Sequence, residues 1–385
     1  MATSKKWELP TIWDKIAHHI SAFYMVGTVA GILIFQVILS PLRLVSLKLY
    51  RFLESAAVQW GMICYTIFNI YTGGRRFELV LSGDDIRKYN TENALVFSNH
   101  TCTIDWVINL HFACKFWSAR KVRFFMKREH LKLPVIGYAA YLHDMIFLKR
   151  NDTAADKKTI SSKLDSLRST NSPLWLWLYP EGTYITPSRV ATLKKVQEYA
   201  KKNNYPVLHN VLTPRVGAFQ LCLTPENRKH FDSVIDITMA FPEPYKTKLG
   251  ESLQPTMVET QKMMFGESPL DIHYHVRRYD VKDIPKSEEG MSKWLHARFE
   301  EKEKLLEHFA KNGEFVHDKD SYKFYEPFYF YLIFWLTSIM GVLLIPLVVK
   351  YFPKTFVICF ALLNIVISIV RYYDGLQGQQ KIKKN

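Results

Sequence analysis

The segment Asn99-His100-Thr101-Cys102-Thr103-Ile104-Asp105 follows directly on the apolar run Ala94–Ser98. If that run is a buried strand, the histidine stands just beyond its carboxyl end, where α/β folds place ligands. A helix beginning near Thr103 would bring Asp105 back to the imidazole. The carboxylate would then fix the ring tautomer and support the charge that appears on proton uptake. With an ordinary pKa of about 6.5, the other ring nitrogen suits a general base near neutrality. A His and an Asp also meet at this spacing by chance in many chains. Cys102 offers a Cys/His alternative, but neighbouring residues on a tight turn rarely point together, and it is taken as a filler position.

Three other strand ends carry residues with chemical use. Leu174–Tyr179 runs into Pro180-Glu181-Gly182-Thr183. There Gly182 lets the backbone approach a ligand, and the amides could hold an anion. Met145–Leu148 leads to Lys149-Arg150, and Val207–Leu212 leads to Thr213-Pro214-Arg215. Arginine's planar fork matches phosphate oxygens. The plainer alternatives are an ordinary strand-to-loop turn at Glu181 and salt bridges closing the sheet's end at the arginines.

These ends need a frame of strands and helices. Further β-rich runs lie at Val122–Met126, Val234–Phe241 and Ile272–Tyr279, with helical patterns at Ala154–Ser169, Ser188–Asn203 and Ser292–Asn312. Strands alternating with helices predict an α/β domain with a mostly parallel sheet and flanking helices over residues 77–316. In Ile272–Tyr279, His273, His275 and Arg277 alternate with apolar residues, which predicts a half-buried strand rather than a metal site. The last helix is expected to be solvated and amphipathic, with Trp294, Leu295, Phe299 and Leu306 facing inward.

The chain's 385 residues include 51 Lys+Arg and 36 Asp+Glu, a formal net charge of +15, with 48% hydrophobic and 14% aromatic residues. That content excludes a disordered protein. The mean hydropathy of −0.08 conceals strong clustering. Ile20–Leu42 holds no charge and is long enough to cross about 30 Å of hydrocarbon. Ala56–Tyr71 is a second, shorter apolar helix. Residues 1–76 are therefore expected to form an N-terminal membrane anchor. Residues 317–385 would form a membrane hairpin (328–349 and 355–370) with a basic tail. Five cysteines without C-x-x-C pairing suggest neither a disulfide framework nor a zinc site, and fit a reducing compartment. The excess of positive charge admits nucleic acid, an anionic membrane or anionic small molecules. No nucleic-acid-binding signature accompanies it, so no nucleic-acid partner is expected.

The ordered set His-x4-Asp, Phe-x-x-Arg, Pro-Glu-Gly and Pro-Arg, flanked by apolar runs, resembles the glycerophospholipid acyltransferase superfamily, which includes the 1-acylglycerol-3-phosphate acyltransferases. The stretches AKKNNYPVLHNVLTPRVGAF, VIDITMAFPEP, IHYHVRRYDVKDIP and WLHARFEEKEKLLEHF resemble the branch of lysocardiolipin, lysophosphatidylinositol and lysophosphatidylglycerol acyltransferases. The resemblance implies acyl transfer from acyl-CoA, a co-substrate, to the free hydroxyl of a lysophospholipid, with no cofactor and no metal. His100 would be the general base and Asp105 its support. Arg150, Glu181, Gly182, Thr183, Pro214 and Arg215 would bind substrates. Asp144 stands where the family's second block has a glycine, which puts that loop's backbone in question. Tyr184 stands where the third block has an arginine, which suits a diester head group rather than a phosphate monoester. Acyl-CoA is cytosolic and lysolipids lie in the bilayer, so the resemblance implies a multi-pass protein of the endoplasmic reticulum with its catalytic domain facing the cytosol. The tail lysines Lys381 and Lys383 resemble a retrieval signal for that membrane. Two N-x-T sequons, at Asn99 and Asn151, are read as chance matches.

Overall fold

Ala94–Ser98 (β2) has no polar alternation, so it is stable only where both faces are covered, and all five of its residues are buried. The computed structural model describes residues 27–73, 78–101, 105–133, 135–184, 190–241 and 271–315, with short pieces between 322 and 339. Strands β1 (Glu78–Gly83), β2, β3 (Val122–Lys127), β4 (Ile146–Leu148), β5 (Trp175–Leu178), β6 (Ser233–Ala240), β7 (Asp271–Asp280) and β8 (Tyr322–Phe324) form one sheet. Their order is β4-β3-β5-β2-β6-β7-β1-β8. β2 lies parallel to both β5 and β6, and β3 and β4 continue the parallel part. The antiparallel pairs are β6 with β7 and β1 with β8. The expected α/β fold with a mostly parallel sheet is present.

Period-two alternation sends Ala94 and Val96 to one face and Leu95 and Phe97 to the other. Helices α1 (residues 27–39), α2 (Leu42–Val45), α3 (Leu47–Gly73) and α4 (Asp105–Lys115) precede β3. α3 and α4 cover the first face, through Ile63, Ile67, Ile108 and Phe112. Helix α5 (Ile136–Leu142) precedes β4, and α6 (Thr153–Ser169) follows it. After β5 come α7 (Val190–Lys202), α8 (Gly217–Cys222) and α9 (Pro225–Arg228), and α10 (Glu288–Asn312) follows β7. The second face is covered by α6, α8 and α10, through Ile160, Leu164, Phe219, Leu295 and Phe299. Ser287 caps α10 by accepting the Gly290 N–H, and Gly313, at φ +77°, ends it.

Several expectations change. The run Val207–Leu212 is an irregular loop, not a strand. His273 and His275 are not on a solvated face, because Phe309 of α10 and Phe315 just after it cover that side of β7. His273 packs edge-on to Phe309, and His275 is hydrogen-bonded to Ser82 Oγ. Trp294 and Leu306 are partly buried as expected, but Lys302 and Glu303 on the same helix are buried too. Residues 56–71 belong to the 27-residue α3, which spans about 40 Å and joins the core of the α/β domain. Of the apolar run 20–42, residues 27–39 are helical and the helix stops at Ser40-Pro41; residues 20–26 lie outside the described residues. The runs 328–349 and 355–370 also lie outside them, apart from residues 329, 332–336 and 339. Among the described residues no helix is long and apolar enough to cross a membrane.

Candidate active site

The carboxyl edge of the parallel strands gathers the expected residues. Beyond β2, Asn99 turns its amide onto β6: Nδ2 donates to Met239 O at 2.9 Å, and Oδ1 accepts the Met239 N–H at 2.8 Å. This two-way latch extends the ladder by one side chain and sets the direction in which His100 leaves the sheet. Asp105 begins α4 and is fully buried. Its Oδ2 lies 2.7 Å from His100 Nδ1 and also accepts the Thr101 N–H at 2.9 Å. A carboxylate accepts, so Nδ1–H is the donor and the ring's tautomer is set. The positive end of α4 favours the Asp105 charge. The imidazole stacks on Tyr179 with ring centres 4.5 Å apart, and Tyr184 meets it edge-on at 5.1 Å. Asn109 Nδ2 donates to the Tyr179 hydroxyl, so α4 holds the stacking ring as well.

The turn after β5 carries Glu181, 3% exposed. Its Oε1 accepts the His100 N–H at 2.7 Å and its Oε2 accepts the Leu212 N–H at 2.9 Å. Burial pushes its pKa up to about 7, against the pull of those two N–H bonds and of His100. The residue expected to bind substrate is thus a brace between two loops. Gly182 has φ +70°, a conformation that favours glycine, and a Cβ there would lie 3.3 Å from the Arg215 side chain, which would have to shift by a few tenths of an ångström. The Arg215 N–H donates to Pro180 O at 2.7 Å, tying the Pro214-Arg215 segment to the same turn. Pro214 is buried against the turn, and Thr183 is half-buried on it.

Arg150 follows β4 with φ +67°. Its N–H and that of Lys149 both donate to Asp156 in the first turn of α6, at 2.9 and 2.8 Å. Partial burial and then the nearby Arg215 charge lower the Arg150 pKa. Among the described residues neither guanidinium has an ion-pair partner, and such a pair of cations is suited to a phosphate. Asp144 occupies the family's glycine position with φ +59°, the left-handed conformation a glycine would supply. Two ion pairs hold it there, Arg51 Nε at 2.8 Å and Lys163 Nζ at 2.7 Å. Burial would raise the Asp144 pKa, but Lys163, Arg51 and Arg43 outweigh it and keep the carboxyl well below the usual range.

A cavity opens beside the imidazole. One wall is polar, made by Asn99, His100, Thr101, Glu181 and Asn210. The other is apolar, made by Met239, Ala240 and Phe241 from the end of β6 with Leu306, Phe309 and Ala310 from α10. Cys102 lies outside the described residues. Among the described residues no three His, Cys, Asp or Glu side chains are placed to hold a metal ion. Sequence reasoning missed Asn99, Asn109 and Tyr179, and read Tyr184 only as the replacement of an arginine, not as a ring set against the imidazole. Asn99 and Tyr179 were visible only as neighbours of the motif residues, and Asn109 becomes legible once α4 is placed.

The acyltransferase family model matches residues 80–225, and the acyltransferase C-terminus model matches residues 262–336. The chain belongs to the acyltransferase family. Among its relatives, a probable 1-acyl-sn-glycerol-3-phosphate acyltransferase 5 of Arabidopsis thaliana is 29% identical, over 76% of this chain and 73% of the relative. The 1-acyl-sn-glycerol-3-phosphate acyltransferase epsilon of Mus musculus is 32% identical over 63% of each chain. Lysocardiolipin acyltransferase 1 of Mus musculus is 27% identical, over 77% of this chain and 74% of the relative. The first family model encloses His100, Asp105, Arg150, Glu181 and Arg215 of this acyltransferase, and the second encloses α10, which contributes Leu306, Phe309 and Ala310 to the apolar wall of the cavity.

Proposed function

We propose that the acyltransferase uses acyl-CoA to acylate the free glycerol hydroxyl of a lysophospholipid with a diester head group, of the lysophosphatidylinositol, lysophosphatidylglycerol or lysocardiolipin type. The observation that carries this is the His100–Asp105 pair, 2.7 Å apart, at a cavity with one polar and one apolar wall. His100 takes the hydroxyl proton, the oxygen attacks the thioester carbonyl, the C–S bond breaks, and coenzyme A leaves as the imidazolium returns the proton to sulfur. Asp105 supports the imidazolium. Arg150 and Arg215 receive phosphate, with the Gly182-Thr183 turn, where Gly182 lies against the Arg215 side chain, beside them. Tyr184, edge-on to the imidazole where the family pattern has an arginine, favours a diester over a monoester.

A second reading, 1-acylglycerol-3-phosphate acyltransferase, is favoured by the names of two of the relatives above. Coenzyme A release from the purified full-length chain, with each lysolipid class in turn, separates the two. Diester lysolipids are expected to turn over faster. Lysophosphatidic acid as the best acceptor would replace the first reading by the second, and no release with any lysolipid would refute both.

The active domain is proposed to work at a bilayer surface, on the cytosolic side of an endoplasmic-reticulum-type membrane where acyl-CoA is available. Support comes from α3, whose polarity is inverted: Arg51, Glu54 and Gln59 face inward, while Leu49, Phe52 and Trp60 are exposed. Ile34, Ile38 and Val45 extend this apolar surface.

A further inference from the structure

The loop 207–212, expected as a strand, has its amides gathered elsewhere. Glu303 lies in the middle of α10 and is 7% exposed. Its carboxylate accepts three successive backbone N–H groups: His209 at 2.8 Å, Asn210 at 2.8 and 3.0 Å, and Val211 at 3.2 Å. Asn210 Nδ2 adds a fourth donor at 2.8 Å. Successive amides converging on one anion form a rigid concavity, and bonds to a charged acceptor are the strong kind. The next amide in the chain, Leu212, donates to Glu181, whose other oxygen accepts the His100 N–H. Three residues further on, the Arg215 N–H is bonded to Pro180 O.

The neighbouring Lys302 grips the other flank of the same site. Its Nζ is buried, paired with Asp236 and bonded to Ile237 O at 2.6 Å and Thr238 Oγ1 at 3.2 Å. The residue after Thr238 is Met239, the partner of the Asn99 latch. Two adjacent residues of α10 thus reach both supports of the loop that carries His100.

We propose that Glu303 is a positioning residue for the active site: by gathering the amides of residues 209–211 it sets Leu212, through Leu212 it sets Glu181, and through Glu181 the backbone of His100. The proposal rests on the reading of His100 as the base. It gives α10 a role in the chemistry beyond lining the cavity, without any contact with a reacting atom.

The test uses the full chain in detergent micelles, as wild type, Glu303→Gln and Glu303→Asp. Hydrogen exchange is measured on peptides covering 97–101 and 209–213, and kcat and KM on coenzyme A release. In Glu303→Gln an NH2 group faces donors it cannot accept. Exchange is expected to rise in both segments, with kcat falling on the order of tenfold to a hundredfold and KM for acyl-CoA changing by less than about twofold. Glu303→Asp keeps the acceptor oxygens and recovers part of kcat. Exchange that rises in 209–213 alone, or an unchanged kcat, overturns the proposal. Should Glu303→Gln fail to fold, Asn210→Ala removes one donor and leaves the charge; the same two segments must then loosen together. Loss of the function reading is seen separately, as coenzyme A release that survives His100→Ala, whereas the exchange coupling between the two segments is measured without turnover.

Discussion

His100 sits between a carboxylate that fixes its tautomer and a tyrosine that fixes its plane, so the ring is oriented before substrate arrives. His100→Ala is expected to lower coenzyme A release by about 10²- to 10⁴-fold, the usual contribution of a positioned base, and to lower the unfolding midpoint as well, because the buried Asp105 carboxylate loses a donor. Cys102→Ser should retain most of the activity; the opposite pattern would replace the base mechanism with a thiol nucleophile. Glu181 carries a pH signature. Its folded pKa is raised from 4.5 to about 7, so the folded state binds the proton more tightly than the unfolded chain. Its stabilising contribution is fully present below 4.5 and lost as pH rises through about 7, a change of about 3 kcal/mol. Unfolding midpoints measured between pH 5 and 8 should fall with rising pH in the wild type. That slope should flatten in Glu181→Gln, and an identical slope in both would show that Glu181 does not titrate in this window. The histidine, the aspartate and the Pro-Glu-Gly turn were legible as residue types at strand ends. Tyr179, Tyr184 and Asn109 were not, since their roles come from ring and amide contacts across 70 or more residues of sequence, or across a turn whose path is not encoded locally.

At the scale of elements, the junctions following the parallel strands do the positioning. Asp144 shows how a non-glycine residue keeps a left-handed backbone: its carboxylate is held by Arg51 from α3 and by Lys163 from α6. Arg51→Ala is expected to destabilise the fold by about 3 kcal/mol, as for removal of one partner of a buried ion pair. Thermal unfolding of the detergent-solubilised chain measures it, and a loss under about 1 kcal/mol would show that Lys163 alone suffices. Strand and helix runs with clear periodicity were legible, β2, β5 and β6 among them. The run 207–212 was not, because its β-rich composition says nothing of an acceptor 92 to 94 residues away. The buried side of α10 was half legible: Leu295 and Phe299 follow the helical period, whereas Lys302 and Glu303 read as solvated until Asp236 and the 209–211 amides are brought to them.

On the scale of the whole molecule, the sheet separates two tasks. Its carboxyl edge carries the His100–Asp105 pair, the Glu181 brace and the two arginines, while α1 to α3 present an apolar outer surface with polar residues turned inward. Replacing Ile34, Ile38 and Val45 together by Ser is expected to weaken co-sedimentation with anionic lipid vesicles by about tenfold or more. Each buried side chain lost from the bilayer removes about 1.5–3 kcal/mol of transfer free energy at most. Unchanged co-sedimentation would move the membrane contact to another surface. The excess positive charge divides accordingly: Arg51 and Lys302 are structural cations inside the fold, and Arg150 and Arg215 are the pair proposed for substrate phosphate. The sequence by itself determined the α/β class, the pairing of His100 with Asp105 and the order of the motifs, because strand periodicity and residue chemistry are local. Only the tertiary structure decided that α3 joins the core, that Glu181 braces two loops and that Glu303 anchors one of them. Those facts depend on which backbone amides a buried carboxylate meets, and that is set by packing between segments far apart in the chain.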